Sequence, residues 1–168
     1  SSVSTEQTII PQRDTGFFAQ TEMNWDDKII VTGGIRGDKS TNNSDANETF
    51  YYPKGNLAVN IHKFDFFGDN IFSSLKPRVA YGESGRFPNF DDRFSLMNPQ
   101  LIDGTSGLSV DNLRGNPNIG PEHQKELEYG VDIGLLNGRI LFEASLYNKT
   151  IEDLLIEADV PTSSGFIS

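Results

Sequence analysis

The stretch Arg86-Phe-Pro-Asn-Phe-Asp-Asp-Arg93 gathers side chains that could hold a ligand. Phe87 and Phe90 could stack on a sugar ring or a peptide group. Arg86, Asn89, Asp91, Asp92 and Arg93 could supply directed hydrogen bonds. The chemistry expected is contact, with no bond made or broken. The alternative is a loop that packs on itself, since many loops only connect. Asp91 and Asp92 carry the hard oxygens that calcium takes, but no EF-hand spacing surrounds them, so no metal is expected. His62 and His123 are single, neither lies beside a Ser or Cys motif, and no nucleophile elbow occurs. No catalytic residue is assigned, and the chain is not expected to be an enzyme. Gly33-Gly34 fits no phosphate-binding fingerprint and would instead allow twist within a strand. No cofactor is expected. Asn42-Asn-Ser44, Asn47-Glu-Thr49 and Asn148-Lys-Thr150 match the glycosylation pattern, which is common by chance.

The elements that must position such a loop are strands. From Lys125 the odd positions Leu127, Tyr129, Val131, Ile133 and Leu135 are apolar, between Glu126, Glu128, Gly130, Asp132 and Gly134. Beyond Asn137-Gly138 the phase moves by one: Ile140, Phe142, Ala144 and Leu146 become the apolar set, opposite Arg139, Glu143 and Ser145. Period-two alternation marks a strand with two unlike faces. Asn-Gly predicts a two-residue hairpin turn, since both central residues need positive φ. Similar alternation places Phe17, Ala19, Met23 and Trp25 on one face. It recurs at Ile29 to Ile35, at Leu57 to Ile61 and at Leu75 to Tyr81. Asp26-Asp27 reads as a short turn, and the segment from Phe64 to Leu75 as a linker with one helical turn. Residues 38–49, 83–123 and the tail from 150 read as long loops; the middle one holds Pro88, Pro99, Pro117 and Pro121 without a sustained period.

Composition excludes several classes. The 168 residues suit one ordinary domain, and a net charge of −10 argues against a nucleic-acid partner. Without cysteine there is no disulfide framework or thiolate metal site. No apolar run reaches the roughly 18 residues of a membrane helix. No secretion signal precedes the strands in this sequence.

An all-β architecture is therefore expected: about six antiparallel, amphipathic strands with short turns on one side and long loops on the other. That asymmetry, with strands of about nine to twelve residues, is the pattern of an outer-membrane β-barrel. Phe17, Trp25, Tyr51, Tyr52, Tyr81 and Tyr147 would supply interfacial girdles. Glu126, Glu128, Asp132 and Glu143 would face the lumen. Six strands do not close a usual barrel, so the sheet is expected to be part of a larger one. The competing architecture is a soluble β-sandwich, such as a carbohydrate-binding module, which also alternates apolar and polar positions.

Two segments carry a family resemblance. Leu113-Arg-Gly-Asn-Pro-Asn-Ile-Gly-Pro-Glu122, followed by Lys125-Glu-Leu-Glu-Tyr-Gly-Val-Asp-Ile-Gly134, resembles a characteristic stretch of TonB-dependent outer-membrane receptors. Asn137-Gly-Arg139, Leu146-Tyr-Asn-Lys-Thr150, Asp153-Leu-Leu155 and Pro161-Thr-Ser-Ser-Gly-Phe166 are most similar to the SusC/RagA branch, as are Gly16-Phe-Phe-Ala-Gln20 and Lys76-Pro-Arg-Val-Ala-Tyr-Gly82. The resemblance runs from about Thr15 to Phe166. It implies part of a 22-stranded barrel in a Gram-negative outer membrane, residues 1–168 lying within the barrel wall, with the plug domain absent from this chain. The implied partners are the lipid bilayer, the rest of the barrel and the plug. The TonB complex would act through the plug, and a SusD-like surface lipoprotein could serve as a lid. The implied activity is uptake of oligosaccharide or peptide; the alternative within the superfamily is a siderophore- or cobalamin-type receptor.

Overall fold

The structure, a computed structural model, describes residues 9, 11–67 and 71–166. Eight strands form: β1 (Asp14–Trp25), β2 (Ile29–Ser40), β3 (Phe50–Val59), β4 (Phe72–Arg86), β5 (Met97–Ile102), β6 (Thr105–Val110), β7 (Glu122–Leu135) and β8 (Ile140–Glu152). A single helical turn, α1 (Phe90–Arg93), follows β4. The six long strands make one open sheet in the order β1-β2-β3-β4-β7-β8, every pair antiparallel. β5 and β6 pair separately as a hairpin.

The register puts like with like. Met23, Val31, Leu57, Val79, Tyr129 and Leu146 stand opposite one another, one per strand, in a single apolar row across the sheet. One residue along each strand, Glu22, Thr32, Asn56, Ala80, Glu128 and Tyr147 form the next row, pointing the other way. Nothing among the described residues covers the apolar side. Among the described residues Tyr52 is the only buried hydrophobic side chain, while Trp25 is 74% exposed and Leu146 77%. A sandwich would pack a second sheet there. Among the described residues the only other sheet is the small β5–β6 hairpin, so the sandwich alternative is not the fold.

The predicted asymmetry of connections is present, with three corrections. β1–β2 and β7–β8 turn tightly at one end of the sheet, and β3–β4 closes at that same end through a 3-10 turn at Ile61–Lys63. However, β7 and β8 are joined by four residues, with Leu136, Asn137 and Gly138 all at positive φ, and not by two. The two-residue turn occurs instead at Asp103-Gly104 (φ 50° and 77°), inside the region read as one structureless loop. The girdle assignment also changes for two residues. Tyr147 lies in the polar row, opposite Glu128. Tyr52 is buried where β3 and β4 part company: their pairing stops at Lys54↔Gly82, although β4–β7 continues to Arg86↔Glu122. Its ring meets His123 edge-on at 5.6 Å. Gly85 gives it room, since any Cβ there would collide with the Tyr52 hydroxyl.

At the tight-turn end, Asn24 holds the β1–β2 turn. Its Nδ2 donates to the Asp27 carboxylate at 2.7 Å and its Oδ1 accepts from the Asp27 amide at 2.9 Å. The Asn24 hydrogen bond, then Lys63 at 3.3 Å, holds the Asp27 carboxyl below its ordinary range.

The polar side is stitched by one arginine. Arg78 on β4 stands opposite Gly130 on β7, which stands opposite Ser145 on β8. A Cβ at residue 130 would fall 2.5 Å from Arg78 Nε, so glycine is what lets the guanidinium cross β7. It reaches Glu143 at 2.7 Å, Glu128 at 3.4 Å and Asp132 at 3.6 Å, and donates to Ser145 Oγ at 2.9 Å. Half-exposed pairs are individually weak, but removing the shared cation takes the ion-pair partner from Glu128 and Glu143 and leaves Asp132 with Lys76 at 3.9 Å. Arg78→Ala is expected to lower stability by about 1–2 kcal/mol, read as a lower midpoint of thermal or urea unfolding. An unchanged midpoint would show that the network contributes nothing.

Candidate functional site

The long-loop end is where the sequence placed ligand contact. The structure divides six of those seven residues between two tasks. Phe87 packs edge-on against Phe50, at the start of β3, at 5.8 Å. Phe90 stacks on Phe94 at 4.9 Å. Arg93 donates to the Thr41 carbonyl at 3.2 Å and the Ser44 carbonyl at 2.9 Å, and its guanidinium lies 4.7 Å from the Phe94 ring. These three side chains hold loops together. Asp91 is exposed to solvent.

Arg93 belongs to a wider clasp. Asn42 Nδ2 donates to the Pro88 carbonyl at 3.2 Å, the Ser44 amide donates to Ile119 O at 3.2 Å, and the Asn116 amide donates to Asp92 O at 2.9 Å. Of the segment 38–49 expected to be a long loop, residues 38–40 belong to β2, and the remaining 41–49 has a buried anchor: Asn42 is 2% exposed and Asn43 0%. Buried amides of this kind are costly unless bonded, which is why the loop is fixed in place by its neighbours.

Arg86, Asn89 and Asp92 come together at a cleft of about 550 Å³. Arg86 ends β4 opposite Glu122, the first residue of β7. The Asn89 amide donates to the Asp92 carboxylate at 2.6 Å, capping α1. Across the cleft lie Leu113, Arg114, Asn116 and Ile119 of the loop before β7. Leu154 to Val160 of the tail close it. Glu122 pins that tail by accepting the Leu155 amide at 3.0 Å. Sequence reasoning missed Arg114 and the tail as cleft residues. They are far from Arg86 along the chain, and only the β4–β7 and β7–β8 ladders bring them together.

A second hollow, of about 500 Å³, lies on the polar side of the sheet. Gln20, Glu22, Lys54, Asn56, Glu126 and Glu128 line it. Glu126 and Glu128 are there as the sequence suggested; Asp132 and Glu143 lie beside them at Arg78. The histidines are tied into the frame: the Leu75 amide meets His62 Nδ1 at 3.4 Å, and His123 Nε2 lies 2.6 Å from Glu83. Among the described residues no group of three or more His, Cys, Asp or Glu is arranged to hold a metal ion.

The clasp is testable through Arg93. A charged donor to two carbonyls contributes about 1–3 kcal/mol, so Arg93→Ala is expected to speed amide exchange and protease cleavage in 41–49 about tenfold or more. Unaltered protection of that loop would show that Asn42 and Ser44 suffice.

Comparison with known proteins matches residues 2–168 to the family model described as TonB dependent receptor-like, beta-barrel. TonB-dependent receptor P3 of Formosa agariphila is 28% identical over 90% of this chain, which corresponds to 16% of that receptor. TonB-dependent receptor SusC of Bacteroides thetaiotaomicron is 27% identical over 96% of this chain and 17% of its own length. The chain thus spans about one-sixth of the curated relatives it matches. Among solved structures, the RagAB peptide transporter superposes with a TM-score of 0.82 at 24% identity, covering 94% of this chain and 18% of that one.

Proposed function

Because the chain belongs to the TonB-dependent receptor-like β-barrel family, we infer that it forms part of the wall and outer loops of an outer-membrane importer. The observation that carries this is the uncovered apolar face. A six-stranded sheet with an apolar row on one side and a charged row on the other is stable only where a nonpolar medium meets the first and water or protein the second. Its work is binding and transport. Solute would be captured at the long-loop end, in the cleft at Arg86, and then pass along the polar side. Glu22, Glu126 and Arg78 would face a plug domain carried elsewhere in the receptor, which the TonB complex would move.

The proposed cargo is oligosaccharide or peptide; the peptide reading has the support of the RagAB peptide transporter, on whose fold this chain superposes. A SusD-like lipoprotein would meet the long-loop end, where the clasp of 41–49 and 86–95 presents a fixed surface. The bilayer would meet the row from Leu127 to Leu135.

The orientation can be checked with two arginines. Val131 lies mid-strand in the outward row, between Pro77 and Ala144. Val131→Arg at that depth is expected to cost about 2–4 kcal/mol and to deplete folded, heat-modifiable barrel from the outer membrane. Glu126→Arg, on the lumen side, is expected to leave assembly intact. The reverse result would turn the sheet inside out and overturn the proposal.

A further inference from the structure

The cleft at the long-loop end is lined by two arginines and a set of branched aliphatic side chains. We propose that it recognises acidic peptides: carboxylates at Arg86 and Arg114, and aliphatic side chains along Leu113, Ile119 and the tail. This rests on the importer assignment above and names the cargo for its outer site.

Three features of the lining support it. First, most other arginines of the loops and sheet are occupied. Arg36 pairs with Asp38 at 2.7 Å, Arg78 has its carboxylates and Arg93 its carbonyls. Arg86 and Arg114 both line the cleft, both are exposed, and neither makes an ion pair among the described residues. The chain carries 24 acidic residues against 14 basic ones, yet two guanidiniums at one cleft are left without a carboxylate. A planar fork with free donors is suited to a carboxylate supplied by the cargo.

Second, the apolar part of the wall is aliphatic. Leu113, Ile119, Leu154, Leu155, Ile156 and Val160 contribute, and among the described residues no aromatic ring lines the cleft. Leu154 and Ile156 are 56% and 74% exposed, so this apolar surface stands open beside the arginines. A sugar ring presents an apolar face that aromatic planes cover well; branched aliphatic surface instead matches leucine- or valine-like side chains.

Third, Asp92 and Glu157 also border the cleft. Their negative charge opposes a polymer charged at every unit. A peptide with one or two carboxylates among neutral residues can place its acids at the arginines and keep the rest clear of both carboxylates.

The experiment uses the intact receptor in detergent, with three probes. They are a short peptide of leucine and aspartate, its leucine and asparagine counterpart, and a uronic-acid oligosaccharide. Binding is measured for the unaltered receptor and for Arg86→Gln, Arg114→Gln and Leu154→Asn. Each arginine substitution is expected to weaken the acidic peptide about tenfold and to leave the neutral peptide unchanged. Leu154→Asn is expected to weaken both peptides. All of these side chains are exposed, and retained heat-modifiable barrel confirms assembly of each variant. Acidic-peptide affinity that is absent, or that survives both arginine substitutions, overturns the proposal. So does arginine-dependent binding of the uronate in preference to the peptide. A receptor that assembles and imports in those cases preserves the importer assignment; failure of the unaltered protein to form an outer-membrane barrel overturns both.

Discussion

Everything in this chain follows from a sheet whose apolar side has no protein to cover it. In water such a face would collapse onto a second layer or recruit another chain. Here the burial that normally holds a domain together is missing: among described residues only Tyr52 is a buried hydrophobe. The backbone ladder must therefore carry the structure, and hydrocarbon makes each of its hydrogen bonds obligatory. That constraint explains why the strands are long, 10 to 15 residues, and why β1–β2 pairs along its whole length and β4–β7 along nearly all of it. It also explains the polar side. With no apolar core to fix register, side chains that span strands take on that task, and Arg78 lying across Gly130 to reach β8 is the clearest case. A one-residue slip of β7 would put Tyr129 or Val131 in the lumen and Glu128 in lipid, so register is determined on both faces at once.

The same constraint made the sheet legible in the sequence. Two unlike solvents write a strict period of two into β1, β2, β3, β4, β7 and β8, and all six were found from alternation alone. The ends of strands were less visible. β4 runs on through Glu83 and Gly85 to Arg86, past the last alternating apolar residue, because there the outward row meets polar surroundings and Glu83 bonds to His123 and Tyr81. The β5–β6 hairpin was missed although Asp103-Gly104 is a good turn signal. Pro99 and the adjacent Leu101 and Ile102 obscure the period. Asn137-Gly138 misled in the opposite sense: both residues have the positive φ their types favour, but Leu136 joins them and the turn widens to four residues.

The site was half legible for a related reason. Residue type located the loop from Arg86 to Arg93, but type does not say whether a side chain faces cargo or a neighbouring loop. Arg93 and Phe87 have the chemistry of ligand contacts and are spent on the Thr41, Ser44 and Phe50 contacts. Arg114 and Leu154 entered no local motif. They reach the cleft because β7 and β8 fold back beside β4, a consequence of topology and not of spacing.

This arrangement also shows how a long insertion can hold a defined cleft. Residues 87–121 leave the sheet after Arg86 and return at Glu122, its direct partner, so the β4–β7 ladder already closes the loop's ends. The entropic cost of closure grows only slowly with loop length, about 0.6 kcal/mol per doubling. Additional length is therefore tolerated once the ladder exists, provided that the interior of the loop is tied down locally. Three local ties are visible: the β5–β6 hairpin, the α1 cap from Asn89 to Asp92, and the Asn116 amide bonded back to Asp92. Only then do contacts with distant segments, Arg93 to loop 41–49 and Glu122 to the tail, fix a surface. A loop built in this order can change its cleft residues, Arg114 or Leu154 among them, without disturbing the ladder beneath. The lining of the cleft and the pairing of the sheet thus fall to different residues, the former above Arg86↔Glu122 and the latter below it.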